Sequence, residues 1–186
     1  MENATGLLVL VVAKAGQTIM RAGGGKQKGA QFERDACHHL SLWVSKGAQE
    51  DVFWRSAMSG GRSTVAHKRG KRLATQAGDI TCIHPIGQPF ADLFLLECKF
   101  YSSLNIEGLL TYKGHLCQFW QEVGEQGARY NKHPFLIAKQ NRYPTIVCLT
   151  KHGLRHFKVS SLCILTAPRI DLHALLFDDF LKLPPL

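Results

Sequence analysis

The stretch AGDITCIHPIGQPFADLFLLECKF, Ala77 to Phe100, puts an acidic residue at the head of one apolar run and a Glu-Cys-Lys triplet at the end of the next. It reads as two strands, AGDITCIHP and DLFLLECKFY, separated by a turn at IGQP. Side chains alternate across a strand, so Leu95, Glu97 and Lys99 face one way and Leu96, Cys98 and Phe100 the other. The second set can enter a core, which leaves Glu97 and Lys99 side by side where a sheet opens into a cleft. Asp79 follows the flexible Gly78 at the start of the adjoining strand and can reach the same point.

Two carboxylates held close together repel, and the pKa of one rises unless a cation is present. Mg²⁺ resolves the conflict, because it prefers oxygen ligands: one or two carboxylates, water and phosphate oxygens. Such an ion activates a bound water and neutralises charge on a phosphate under attack. Lys99 is placed to orient that water or to stabilise the transition state. A lone E-x-K is ordinarily the solvated end of a strand. Here it closes a strongly apolar run and follows Gly-Asp by about twenty residues, which favours a Mg²⁺ site that Mn²⁺ could also occupy.

Working outward, residues 29–46 read as a helix, with Phe32, Ala36, Leu40 and Trp43 at helical spacing before a stop at Gly47. Glu33 lies at the edge of this stripe, where the ordinary explanation is a carboxylate paired with a base. DVFWRSA is a short strand, followed by a loop rich in Gly, Ser and basic residues. Beyond Phe100 the pattern predicts a helix over 105–126, strands at HPFLIAKQN, PTIVCLT and LCILTAP, and a final helix at DLHALLFDDFLKL. This order predicts an α/β fold, a mixed central β-sheet flanked by helices.

In order and spacing these segments resemble the PD-(D/E)xK nuclease superfamily, and within it most resemble archaeal-type Holliday junction resolvases and related phage endonucleases. The residues that carry the resemblance are KGAQFERDACHHL, VFWRSAMSGG, AGDI and LECK. It implies a restriction-endonuclease-like core, with Glu33 as the acidic residue of the first helix, approaching the metal directly or through water. It further implies Asp79 and Glu97 as metal-binding carboxylates, Lys99 as the catalytic lysine, and Ser59 in a loop that approaches the scissile phosphate. Two features depart from the pattern: Gly-Asp stands where Pro-Asp is usual, and a base-rich insertion separates Ser59 from Asp79.

The function expected on this basis is Mg²⁺-dependent hydrolysis of DNA, at branched substrates and by a homodimer matching the near-twofold symmetry of a four-way junction. The alternatives are a site-specific homing or restriction-type endonuclease on the same fold, and a non-catalytic nucleic-acid-binding module. The net charge of +9 favours a polyanionic partner. Candidate phosphate contacts are Arg55, Arg62, Lys68, Arg69, Lys71 and Arg72 ahead of Asp79, with Lys139, Asn141 and Arg142 at a strand exit. Lys139 and Asn141 are expected to share a face. Asp178 and Asp179 read as the exposed face of a terminal helix rather than as a second metal site.

Length allows a single nuclease domain over 28–186, preceded by an N-terminal extension over 1–27 whose apolar run GLLVLVVAKAG is too short to span a bilayer. The six cysteines include no C-x-x-C pair and suit a reduced cytoplasmic setting; the resemblance to phage endonucleases implies that of a bacterial or phage-infected host cell. Cys82 with His84, or Cys37 with His38 and His39, could contribute to a zinc site, but no second ligand pair follows at the usual spacing.

Overall fold

The computed structural model describes residues 24–56, 78–157 and 162–186. The N-terminal apolar run, Ser59 and the basic residues Arg62, Lys68, Arg69, Lys71 and Arg72 therefore lie outside the described residues.

Helix α1 (Gly24–Val44) begins ahead of the expected boundary at Lys28. It buries Phe32, Ala36, Cys37, Leu40, Trp43 and Val44, the stripe its periodicity predicts. Its end is tied off by two bonds, Lys46 N–H to the Trp43 carbonyl and Gly47 N–H to that of Leu42. This is a Schellman arrangement with both residues at positive φ. The buried Ser41 hydroxyl donates to the Cys37 carbonyl and accepts the Phe53 N–H at 2.9 Å. Strand β1 (Phe53–Arg55) is thereby docked on the helix, and it pairs antiparallel with β2 (Ile80–Cys82).

A 3-10 turn at Pro85–Gly87 leads into helix α2 (Gln88–Leu93) and then strand β3 (Phe94–Tyr101). The expected IGQP turn is thus mostly helical, and the strand starts two residues later than expected. Pro89 in the first turn of α2 suits helix initiation, and six residues are too few for a period to show. A second 3-10 turn, Ile106–Thr111, precedes α3 (His115–Tyr130). That helix begins ten residues later than the sequence pattern suggested, because Asn105, Tyr112 and Gly114 all take positive φ and interrupt the first part. Next come β4 (His133–Gln140), β5 (Ile146–Leu149), α4 (Lys151–Arg155), β6 (Leu165–Ala167), β7 (Leu172–Leu176) and the single turn α5 (Phe177–Phe180).

The main sheet has the order β3-β4-β5-β7-β6, with β3 and β4 parallel and every other pair antiparallel. The mixed sheet flanked by helices is as expected. The expected terminal helix is not: Leu172–Leu176 forms a strand between β5 and β6. Its Leu172 and Ala174 pack toward the α3 side and Leu175 toward the α1 side. A strand buried on both faces gives a continuous apolar run, which periodicity alone does not distinguish from a buried helix. Asp178 and Asp179 sit on α5 while Phe177 and Phe180 are buried, and Asp179 pairs with Lys182.

Two cores result. Phe94, Leu96, Cys98, Phe135, Ile137, Val147 and Leu149 face α1, whereas Leu95, Leu136, Ala138, Ile146 and Cys148 face α3. Phe90 of α2 joins the first, with ring centroids 5.1 to 6.4 Å from Trp43, Phe53, Phe94, Phe135 and Phe157. It links α1, the β1–β2 hairpin and the main sheet. Truncating it removes these contacts and leaves a void, so Phe90→Ala should cost about 3–5 kcal/mol, read as a lowered urea midpoint at unchanged m value.

Candidate active site

The β1–β2 hairpin meets the free edge of β3 through Asp79, the residue just before β2. Asp79 N–H donates to the Leu96 carbonyl at 2.9 Å, and the Asp79 carbonyl accepts the Ser56 N–H at 2.7 Å. The Cys98 N–H donates to Asp79 Oδ2 at 3.0 Å. Backbone and side chain are therefore both held against β3 on either side of Glu97. Gly78 makes the approach possible. Its φ is +87°, and a Cβ there would lie 2.4 Å from the Leu96 carbonyl oxygen. The Gly-Asp pair is a steric requirement here, since neither an L side chain nor the fixed negative φ of proline fits this backbone.

Glu97 projects to the α3 side of β3, next to Lys99, whose Nζ lies 2.6 Å from Glu97 Oε1. Asp79 and Glu97 are only 8% and 6% exposed, although both carry ionisable carboxyls. Glu97 is thus not the solvated strand end that a lone E-x-K ordinarily makes. Burial, and then the charge of Glu97, push the Asp79 carboxyl up from 3.8 to about 7, against the opposing effects of the Cys98 N–H and Lys99. Burial works against the Lys99 ammonium, but the charge and hydrogen bond of Glu97, followed by Asp79 and Glu122, outweigh it and raise its pKa. Lys99 also lies 5.6 Å from the centroid of the Phe119 ring. The lysine is therefore a firmly held cation. One Lys⁺ cannot balance two carboxylates, so without a metal the cluster keeps a proton to near neutrality.

Glu33 is paired elsewhere. Arg55 Nε donates to Glu33 Oε2 at 2.5 Å, with the Glu33 side chain 16% exposed. Arg55 is the register partner of Ile80, so this pair stands one residue from Asp79 and braces α1 against the hairpin. The helix-edge carboxylate paired with a base, the ordinary reading of Glu33, is what the structure contains. Among the described residues, Glu33, Asp79 and Glu97 do not bring three ligand atoms within 4.8 Å of one another; the group that does is His133, His152 and His156.

At the exit of β4 the expected shared face of Lys139 and Asn141 is not formed, because the strand ends at Gln140. Asn141 N–H donates to the Tyr101 carbonyl and Arg142 turns at φ +66°. Lys139 Nζ lies 6.0 and 5.8 Å from the Phe32 and Phe100 centroids, on the α1 side. Gln140 accepts the Leu104 N–H and fastens the loop after β3. Two roles escaped the sequence, the Ser56 N–H on the Asp79 carbonyl and the Gln140 side-chain Oε1 on the Leu104 N–H; each depends on a distant backbone group that residue type does not signal.

The zinc candidates are occupied locally. Cys82 Sγ donates to the His84 carbonyl, and His84 Nδ1 accepts the Ile86 N–H. Burial, with the nearby Glu33 charge, pushes the Cys37 thiol up to about 12. All six cysteines are free. No helix of the described residues is long and apolar enough to cross a membrane.

The arrangement defines a class: a mixed sheet whose edge carries a buried Asp and Glu and a half-buried Lys from Gly-Asp and Glu-Cys-Lys segments. The family described as "Phage putative PDDEXK endonuclease" matches residues 24–166, and the chain belongs to it. No curated protein matches the chain, and no solved structure does. The PD-(D/E)xK resemblance is therefore confirmed at the level of a phage nuclease family.

Two outcomes follow. Gly78→Ala should cost about 2 kcal/mol or more in denaturant unfolding, through strained φ and the Leu96 clash. In chelator-treated protein, the folded state holds the Asp79 proton between pH 4 and 7 while the unfolded chain has released it. Asp79 therefore makes stability fall as pH rises through that window, and level off above about 7. Asp79→Asn removes this term, so the variant should exceed the parent in stability at pH 8, on the order of a few kcal/mol, with the difference vanishing at pH 4.

Proposed function

We propose that the protein is a divalent-metal-dependent DNA endonuclease that hydrolyses phosphodiester bonds, with branched DNA as its substrate. The observation that carries this reading is the buried Asp79–Glu97 pair with its single lysine counter-charge. Hard oxygen donors in charge excess, with Asp79 keeping a proton to about 7 for want of a second cation, suit Mg²⁺ and also Mn²⁺. Asp79 and Glu97 would hold that ion, while Glu33 would stand behind them on Arg55. When bound, it would activate a water and neutralise charge on the scissile phosphate.

The remaining work falls to the chain itself. The Cys98 amide fixes the orientation of the Asp79 carboxylate. Lys99, cationic across the physiological range, donates a hydrogen bond to a non-bridging phosphate oxygen and offsets charge as water attacks phosphorus and the P–O ester bond breaks. Its raised pKa suits it to electrostatic stabilisation and makes it a poor general base at neutral pH. The +9 charge, the basic segment ahead of Asp79, and Lys139 and Arg142 beyond Tyr101 suit a polyanion. Branched DNA is favoured by the resemblance to junction resolvases in the order of the elements, and such a substrate would be met by a homodimer.

The test is cleavage of a labelled four-way junction and a matched duplex with Mg²⁺. The parent should nick the junction preferentially, with Glu97→Ala inactive and Lys99→Met slowed about 10²- to 10³-fold. Cutting confined to a defined linear sequence would replace junction resolution with site-specific cleavage on the same centre. Mg²⁺ should also raise the melting temperature of the parent but not of Asp79→Asn; no rise at millimolar metal would favour a binding module without catalysis.

A further inference from the structure

We propose that His133, His152 and His156 form a second metal site, one for a borderline divalent transition ion such as Zn²⁺, that ties α4 to the start of β4. Each imidazole offers one nitrogen, and the three nitrogens lie within 4.8 Å of one another. The ring centroids are 4.7 Å apart for His133 and His152, 5.3 Å for His133 and His156, and 5.9 Å for His152 and His156.

Local structure builds this cluster. Thr150 caps α4 by accepting the Gly153 N–H at 3.0 Å, and Asp171 Oδ1 accepts the Lys151 N–H at 2.9 Å. The start of the helix is thereby fixed, and His152 and His156, four residues apart, fall on one face of it with rings stacked at 7°. That face meets His133 because β4 pairs antiparallel with β5, Phe135 opposite Leu149, so the start of β4 lies beside the helix that follows β5; Phe94, the register partner of His133 on β3, packs edge-on against His156 with centroids 5.8 Å apart.

A purely structural histidine ordinarily finds a hydrogen-bond partner when buried. His156 Nε2 is buried and has none among the described residues. A metal ion ligated by that nitrogen would satisfy it. Burial and the two neighbouring imidazoles lower the pKa of His133, which favours the neutral form that ligates. Nitrogens bound at 2.0–2.1 Å to a tetrahedral ion stand about 3.4 Å apart, so the cluster must tighten by roughly an ångström. The exposed His152 ring is free to make that movement. Nitrogen donors without a carboxylate select Zn²⁺, Co²⁺, Ni²⁺ or Cu²⁺ over Mg²⁺ or Ca²⁺, which distinguishes this site from the Asp79–Glu97 pair. Three protein ligands leave a fourth position for water. His133 lies three residues before Leu136, the register partner of Glu97, about 10 Å along the strand direction, so the two sites are separate.

The experiment is equilibrium dialysis of the full chain against Zn²⁺ with the retained metal counted, alongside Co²⁺ absorption spectra. The parent and Asp79→Asn should each retain about one equivalent of Zn²⁺. His152→Ala should lose it while keeping the metal-free melting temperature, since the side chain is exposed. Zn²⁺ at a hundredfold excess over its Kd should raise the parent's Tm by about 5–10 °C and leave that of His152→Ala unmoved. Bound Co²⁺ should show d–d bands without a thiolate charge-transfer band. Equal Zn²⁺ retention by parent and His152→Ala, retention by neither, or a thiolate band would overturn the proposal.

Discussion

The fastening of Asp79 to the edge of β3 is the constraint on which the rest of the site depends. Three hydrogen bonds hold this one residue: its N–H to Leu96, its carbonyl from Ser56 and its carboxylate from Cys98. They bring a second carboxyl beside Glu97 in a place that water barely reaches. Placing two acids there is unfavourable unless a cation or a proton accompanies them. Lys99 supplies one positive charge, and the Asp79 proton makes good the shortfall up to about pH 7. A divalent cation could take the place of that proton, so the instability of the metal-free cluster is the same property that would give it affinity for metal.

The layers of the fold serve that arrangement. β3 has hydrogen-bond partners from β4 along its whole length on one side and leaves its other edge for Asp79. Leu96 and Cys98 anchor the strand toward α1, and Leu95 anchors it toward α3, so Glu97 and Lys99 emerge from a strand that is buried on both faces. The Glu33–Arg55 pair and the Phe90 ring cluster fix the small hairpin relative to α1, which keeps Asp79 from drifting away from β3. Function would then rest on a strand edge, the one part of a sheet whose hydrogen-bonding groups remain available to another segment.

Much of this was legible in the sequence because the informative residues break a local rule. An acid and a base ending an apolar run identified β3, and alternation gave the faces of Leu95 to Phe100 correctly. The stripe of α1 was equally clear, as Phe32, Ala36, Leu40 and Trp43 obey a single period. What was hidden depends on long-range pairing. Leu172–Leu176 read as helix because a strand covered on both faces shows no alternation. Glu33 carries the same letter whether it faces a metal or Arg55. The histidine cluster was invisible for a similar reason: His152 and His156 show a helical spacing, but it takes the antiparallel pairing of β4 with β5, Phe135 opposite Leu149, to bring His133 alongside the helix that follows β5.

The most direct measurement is calorimetric titration of the protein with Mg²⁺ at pH 6 and pH 8, in buffers of differing ionisation enthalpy, so that protons released on binding are counted. Mg²⁺ avoids the imidazole cluster and reports on the carboxylates alone. If Asp79 and Glu97 hold the ion, binding at pH 6 should expel about 1 proton from Asp79, and binding at pH 8 should expel almost none. Asp79→Asn should abolish the proton release. Mg²⁺ binding with no proton released at pH 6, or with release unchanged in Asp79→Asn, would contradict a metal centre built on this pair.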